Sequence, residues 1–457
     1  MTANRSLLAD AQRIWRAGLE AVRPERLLAE AIRREGDRLV IENGVGQAAE
    51  LDLKRLGRLI IVGGGKAGAS MAQGLEAALG PLLPESKQPR GFLSVPGGCA
   101  EPTESIRLVE GRPAGVNEPR AEGEAAAREM LDLVSQAGPD DVCLCLLSGG
   151  GSALLPAPEP PVTLEAKLLV TQLLSAGGAA IEQLNTVRQH LSLFKGGGLA
   201  RACRAGRLVT LVLSDVLGDP LDLIASGPTI QPKSTPADAL AILEDFGLAD
   251  RRELEDAVAL LKQKSEAPKP PPPSCECQTL ILANNATAVD AAGVEAEKLG
   301  YRHAMDCARQ SEGPAEEVGR QLAEMALSMR DAPEPHGPNC LITGGEPTVE
   351  LAPSEVRGKG GRNQQLVLAA MERLGDARGV ALLSGGTDGE DGPTDAAGAM
   401  VDQEIAQKAN RDAIADSLHR NDAYRFFEPL GGLLVTGPTH TNVCDLRVVT
   451  VDKVAGG

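Results

Sequence analysis

At 457 residues the chain is long enough for two domains, each able to bury a core of its own. A formal net charge of -17 and an aromatic content of 2% argue against nucleic acid and anionic membranes as partners, because there is neither a basic surface nor a base-stacking platform. Hydrophobic content of 42% is ordinary for a soluble protein, with no secretory h-region and no apolar run of bilayer-spanning length, so the cytoplasm is the expected compartment.

The nine Cys contain no Cys-x-x-Cys pair, and His190, His303, His336, His419 and His440 are scattered without zinc-like spacing. Idle thiols in a reducing compartment are the expected reading.

In chain order, Met1–Arg5 reads as the approach to a helix. Ser6 to Arg34 then carries apolar residues at helical spacing (Leu7, Leu8, Ala11, Ile14, Trp15, Leu19, Val22), interrupted by Pro24. This is expected to be a scaffold helix with Trp15 in the core. Leu59-Ile60-Ile61-Val62 reads as a buried strand that opens into Gly63-Gly64-Gly65-Lys66-Ala67-Gly68 and a helix. Gly63, Gly65 and Gly68 match the dinucleotide fingerprint in form, but no acidic residue follows where a ribose contact is expected. What remains is an anion site by geometry, at a helix N-terminus with Lys66 in the turn.

Val142 to Leu147 is a second strand, with Cys143 and Cys145 on one face, and it opens into Ser148-Gly149-Gly150-Gly151-Ser152. This is the strongest phosphate cradle of the first half. A serine-hydrolase reading fails because Gly-x-Ser-x-Gly is absent. Asn185 to Gly198 is expected to be a helix ending in a Gly cap, with Arg188, Ser192 and Lys195 on one face and His190 structural. Leu208 to Leu213 is a strand ending at Ser214-Asp215, and a carboxylate there suits Mg²⁺ or the proton of a substrate hydroxyl. Pro268 to Pro273 reads as a semi-rigid linker. The expected division is a first domain over 1–265, a linker over 266–274 and a second domain over 275–457.

In the second half, apolar runs lead into Gly344-Gly345-Glu346 and Ser384-Gly385-Gly386-Thr387-Asp388, with Gly358 to Gln364 in between. Lys359 and Arg362 supply positive charge; Glu346, Asp388 and Asp391 are hard oxygen donors suited to Mg²⁺. Anion cradles, cations and carboxylates together point to phosphoryl transfer. Two α/β domains with a cleft between them are the expected architecture.

Gly-Gly-Glu, Gly-Lys-Gly-Gly-Arg-Asn-Gln and the run from Gly386 to Gly398 resemble the C-terminal domain of the glycerate kinase family often called MOFRL, and the similarity extends over nearly the whole chain. The resemblance implies a Rossmann-like N-terminal domain, a C-terminal MOFRL domain, and phosphorylation of D-glycerate at its 2-position by ATP with Mg²⁺. It implies catalytic roles for Lys66, Arg362, Asp215 and Asp388. Nucleotide binding would fall to Ser148, Gly149, Gly150, Gly151, Ser152, Lys195, Gly345 and Glu346, and metal binding to Asp388, Glu346 and Asp215. Two departures stand out. Glu110-Gly111-Arg112-Pro113-Ala114 replaces a His-Pro-x-Pro-Asp-like stretch, with Arg112 a candidate substitute, and His440 stands where Gly is usual. An NAD(P)-dependent hydroxy-acid dehydrogenase and a phosphosugar-binding regulator are the rival readings. A homo-oligomer is compatible with the sequence and not implied by it.

Overall fold

The computed structural model describes residues 6–116, 118–332 and 337–452. Met1–Arg5 and His336 lie outside these residues. The chain forms two compact units, Pro24–Leu282 and a second composed of Met1–Arg23 with Ala283–Gly457.

In the first unit, β1 (Ile32–Glu35), β2 (Arg38–Glu42) and β3 (Ala48–Asp52) make a small antiparallel sheet. The main sheet contains β4 (Leu59–Gly64), β5 (Arg90–Pro96), β6 (Ile106–Arg112), β7 (Val142–Leu147), β8 (Arg207–Leu213) and β9 (Glu276–Ala283), in the order β6-β5-β4-β7-β8-β9. The pairs β4–β5, β5–β6, β4–β7 and β7–β8 are parallel. β4 and β7 are buried along their whole length, as expected of apolar runs covered on both faces. Cys143 and Cys145 share one core with Ile60, Val62 and Phe92. The chain runs outward from β4 through β5 to β6 and returns to β7 on the opposite side of β4. The β4/β7 boundary is therefore the topological switch point, where open α/β sheets form their ligand crevice.

The division of the chain departs from the sequence expectation at both ends. The stretch Pro268 to Pro273 connects parts of one unit, because the segment after it becomes β9, next to β8, with Glu276 N–H donating to Gly206 O at 3.1 Å. The helix Leu7–Ala21, first in the sequence, belongs to the second unit. It starts at Ser6, whose Oγ accepts from Ala9 N, and Pro24 opens the next helix, Pro24–Ala31, at its first position, where a missing N–H is tolerated.

In the second unit, β10 (His303–Cys307), β11 (Cys340–Gly345), β12 (Val380–Gly386), β13 (Gly398–Val401), β14 (Leu433–Leu434) and β15 (Asp445–Val451) form a mixed sheet ordered β10-β11-β15-β12-β13-β14. β10–β11 is parallel and the remaining pairs are antiparallel. Alternation divides each strand between two cores. Leu341, Leu382 and Val449 pack with the helices Ala315–Asp331 and Arg362–Leu374. Cys340, Ile342, Leu383 and Val448 pack with Leu7–Ala21 and Asn285–Lys298. Trp15 is fully buried there, and its indole N–H donates to Leu446 O at 3.1 Å.

His440 adopts φ 58, the left-handed region that glycine enters without strain. His440→Gly is expected to raise stability by roughly 0.5–1 kcal/mol in urea denaturation, the backbone strain relieved exceeding the added chain entropy. A loss of stability would mean that imidazole contacts outweigh the strain.

Candidate functional site

The turns after β4 and β7 are knitted together at the switch point. Lys66 N–H donates to Gly149 O at 2.7 Å, Ser148 N–H to Gly64 O at 3.4 Å, and Ala67 N–H to Ser148 Oγ at 3.0 Å. This approach needs Gly65: its φ is +151°, and a Cβ there would lie 2.1 Å from Ser148 Oγ. The Ser148 hydroxyl thus helps to hold the loop. The helix Gly68–Leu79 starts immediately beyond, with no side-chain cap on its first N–H groups.

Beside this seam is a cavity of about 310 Å³. Its lining includes Gly150, Gly151 and Ser152 of the β7 loop and Asp215 just after β8. Lys167, Arg188 and Lys195 line it as well, and Leu164, Leu168, Ile181, Val216 and Leu223 give it apolar walls. Lys195 is 2% exposed; its Nζ donates to both Ser152 O and Ser152 Oγ at 2.6 Å, so it fixes the loop's shape as well as its charge. Ser152 Oγ meets Ser226 Oγ at 3.0 Å, and Ser226 donates to Asn185 Oδ1 at 2.9 Å. Lys167 is 6% exposed and its Nζ reaches Leu191 O at 3.4 Å. Among the described residues none of these three cations forms an ion pair.

Their titration reflects this crowding. Burial pushes the Lys167 ammonium down to about 7; Arg188 and Lys264 add to the effect, while Glu124 and Glu159 oppose it. Lys195 lies well below the ordinary lysine range, first through burial and then through Lys167 and Arg188. Burial also lowers Arg188. Desolvated cations that depress one another favour an incoming anion.

The route to this cluster differs from the sequence expectation. The helix ends at His190, so Ser192 and Lys195 lie beyond it and the proposed single helical face does not exist. Ser192 Oγ instead donates to Ala157 O and accepts from Lys195 N, forming the turn that carries Lys195 back toward Arg188. His190 is structural, pairing with Ser234 Oγ at 3.1 Å, and burial pushes its imidazole down to about 4. Lys167 was missed. Its signal was legible, since it sits on the buried stripe Leu164, Lys167, Val170, Leu174 of an otherwise amphipathic helix.

The second unit pairs its charges instead. Arg362 Nε and Nη2 grip Asp445 at 2.7 and 3.0 Å, and Nη1 meets Glu346 at 2.8 Å. Asp445, 0% exposed at the head of β15, was not singled out from sequence. Arg447 holds Glu312 in a second two-pronged pair at 2.8 and 2.7 Å. The Glu312 carboxylate fills the space over Gly345, where a Cβ would meet it at 1.9 Å, so Gly345 accommodates a side chain rather than a phosphate. Asp391, expected among the metal donors, caps the helix Arg362–Leu374 by accepting from Asn363 N and Gln364 N at 3.0 and 2.8 Å. Burial raises its carboxyl to about 7. Lys359 lies 3.6 Å over the Tyr424 ring and pairs with Asp395. Asp388 Oδ1 accepts from Glu390 N at 3.1 Å, and Asp388 and Asp445 both place an oxygen within 3.5 Å of the position a Gly386 Cβ would take. Among the described residues no group of three or more His, Cys, Asp or Glu is arranged to hold a metal.

Comparison with known proteins bears on this arrangement. Residues 10–261 match the family described as a domain of unknown function (DUF4147), and residues 339–445 match the MOFRL family. A protein of Danio rerio named glycerate kinase is 36% identical over 508 residues, with 97% of each chain covered. The crystal structure of a glycerate kinase from Thermotoga maritima superposes with a TM-score of 0.80 at 34% identity, covering 98% of this chain and 99% of its own. The chain belongs to the MOFRL-type glycerate kinase family. An Agrobacterium vitis relative, 40% identical over 86% of this chain and 87% of its own, is named a putative hydroxypyruvate reductase.

Within this family frame, the Lys167 ammonium allows a test of the cavity's electrostatics. Its folded value of about 7 lies below the unfolded lysine value of about 10.4, so the burial penalty is complete below pH 7 and fades between about pH 7 and 10. Lys167→Met is expected to raise the urea midpoint near pH 6 and to lose that gain by about pH 10. An equal gain at both values would show that folding does not shift the Lys167 ammonium.

Proposed function

We propose that the chain is a glycerate 2-kinase, transferring the γ-phosphoryl group of ATP to the 2-hydroxyl of D-glycerate with Mg²⁺. The observation that supports this most is the cavity beside the switch point, where a glycine loop, two buried lysines and the half-buried Arg188 await an anion. The 36% identical relatives named glycerate kinase supply the substrate class. In the reaction the bond from the γ-phosphorus to the 2-oxygen forms and the bond to the β–γ bridging oxygen breaks. ADP leaves with the electron pair, and the hydroxyl proton passes to a carboxylate, for which Asp215 and Asp388 are the candidates.

Lys66 neutralises charge on the transferring group, as do the N–H groups of Gly149 and Gly150 in the Ser148–Ser152 loop. Mg²⁺ is commonly held by one or two carboxylates together with substrate phosphates, a mode for which Asp388, Glu346 or Asp215 would serve. Once bound it would offset the charge of the nucleotide phosphates. Arg362, its fork already occupied by Asp445, acts in this reading by orienting Glu346. The nine free thiols fit a reducing compartment, and we place the protein in the cytoplasm.

The reductase name of some relatives, with Gly63, Gly65 and Gly68, favours a dehydrogenase as the second reading. Against it, β5 ends in Ser94-Val95-Pro96, with no carboxylate for a ribose at the strand end that would carry one. Quenching of NADH fluorescence on addition of the protein would revive it.

The test is the protein with D-glycerate, ATP, Mg²⁺, enolase, pyruvate kinase, lactate dehydrogenase and NADH, without phosphoglycerate mutase or added phosphoenolpyruvate. NADH loss is expected, because only 2-phosphoglycerate feeds this chain. ADP formation without NADH loss would indicate the 3-position, and absence of ADP would end the kinase reading. Asp215→Asn and Asp388→Asn are each expected to lower kcat about 100-fold or more with melting unchanged. Undiminished turnover in both would remove them from the reaction.

A further inference from the structure

The Ser148–Ser152 loop has cations at two places, only one of which is the cavity. Arg112, the last residue of β6, is 5% exposed, and its Nη1 donates to Val116 O. The point above Gly150 that a Cβ would occupy lies 3.6 Å from Arg112 Nη2 and 3.3 Å from Lys66 Cγ. Gly150 has φ +79° and itself lines the cavity, whereas neither Arg112 nor Lys66 is among the described residues that do. A single glycine therefore carries a guanidinium over it and borders a separate pocket of three cations.

A kinase for a hydroxy acid must hold two anions side by side, a planar carboxylate and a chain of phosphates. Arg presents paired N–H donors in one plane, the match for a carboxylate, while clustered ammonium groups suit charge spread over phosphate oxygens. The cavity's volume of about 310 Å³ falls in the range of drug-sized ligands, roughly 300–1,000 Å³, and exceeds what a three-carbon acid fills. Its apolar walls at Leu164, Leu168 and Ile181 suit a nucleoside.

We propose that the loop separates two anion subsites, with Arg112 receiving the carboxylate of the hydroxy acid and the Lys167–Arg188–Lys195 cavity receiving the nucleotide phosphates. Lys66, over the same glycine as Arg112, serves the group that passes from one to the other. This rests on the kinase reading above. It makes Arg112 the residue that selects an α-hydroxy acid over a neutral alcohol, and it assigns work to the stretch Glu110–Ala114 where the chain departs from its family's pattern.

The test is steady-state kinetics of the full chain with D-glycerate and ATP varied in turn. Arg112→Gln is expected to raise KM for glycerate about 10–100-fold, as for loss of a charged hydrogen-bonded partner, and to leave KM for ATP within about 2-fold. Arg188→Gln is expected to do the reverse. Should Arg112→Gln fail to fold, Arg112→Lys keeps the charge and loses the fork, so a raised glycerate KM with an unmoved ATP KM is again expected. A raised ATP KM in either Arg112 variant, an unchanged glycerate KM, or a raised glycerate KM in Arg188→Gln would overturn the assignment. Wild-type turnover separates the two levels: a wild type that makes no ADP defeats the kinase reading itself, while an active wild type with indifferent variants defeats only the division into subsites.

Discussion

The first unit depends on how closely the ends of β4 and β7 approach. Two neighbouring parallel strands would ordinarily splay their loops apart around their side chains. Here Gly63 and Gly65 remove those side chains, and a Cβ on either would stand 2.0–2.1 Å from an atom of β7 or its loop. The gap closes until main-chain groups of one turn bond to the other, and the Ser148 hydroxyl is drawn inward to complete the contact. Loops braced in this way keep their N–H groups in place without a ligand, which is the condition for electrostatic preorganisation. The positions of Lys66, Gly150 and Ser152 all follow from that seam.

The candidate residues of the two units treat charge differently. In the second, Arg362 meets Asp445 and Arg447 meets Glu312, each through a two-pronged geometry that offsets desolvation. In the first, Lys167, Arg188 and Lys195 share a cavity, and among the described residues none of the three forms an ion pair. Matched pairs of the first kind hold a fold together. An unmatched cluster works against the fold, and its persistence fits a site whose counter-charge arrives with substrate.

Much of this was legible in the chain, for local reasons. Apolar runs that stop at glycine clusters announced β4, β7, β11 and β12 and placed the loops at their ends. Asp215 was read from the end of a strand, and Lys195 from helical spacing and the family resemblance, although Lys195 reaches the cavity through a turn rather than along a helix. What was not legible is contact across long sequence separation. Asp445 is invisible as the partner of Arg362 until β15 is known to lie between β11 and β12, and Gly345 looks like a phosphate contact until Glu312 is seen above it. The proline run misled for a related reason: an extended segment can bring a chain back to a sheet edge as readily as lead it away, and only the neighbour of β9 decides which.

The place of β15 also bears on how the protein is made. Five strands of the second sheet precede it in the chain, yet the sheet has no centre until Asp445–Val451 arrives, since β11 and β12 pair with it and not with each other. The helix Leu7–Ala21, translated long before it, packs against the same late strand through Trp15. On the ribosome the continuous segment Pro24–Leu282 can therefore fold while synthesis proceeds, whereas the opening helix must wait through some four hundred codons for its partner. During that interval the apolar face of the helix and the unpaired edges of β11 and β12 would be exposed, making the nascent second unit a natural client for chaperones.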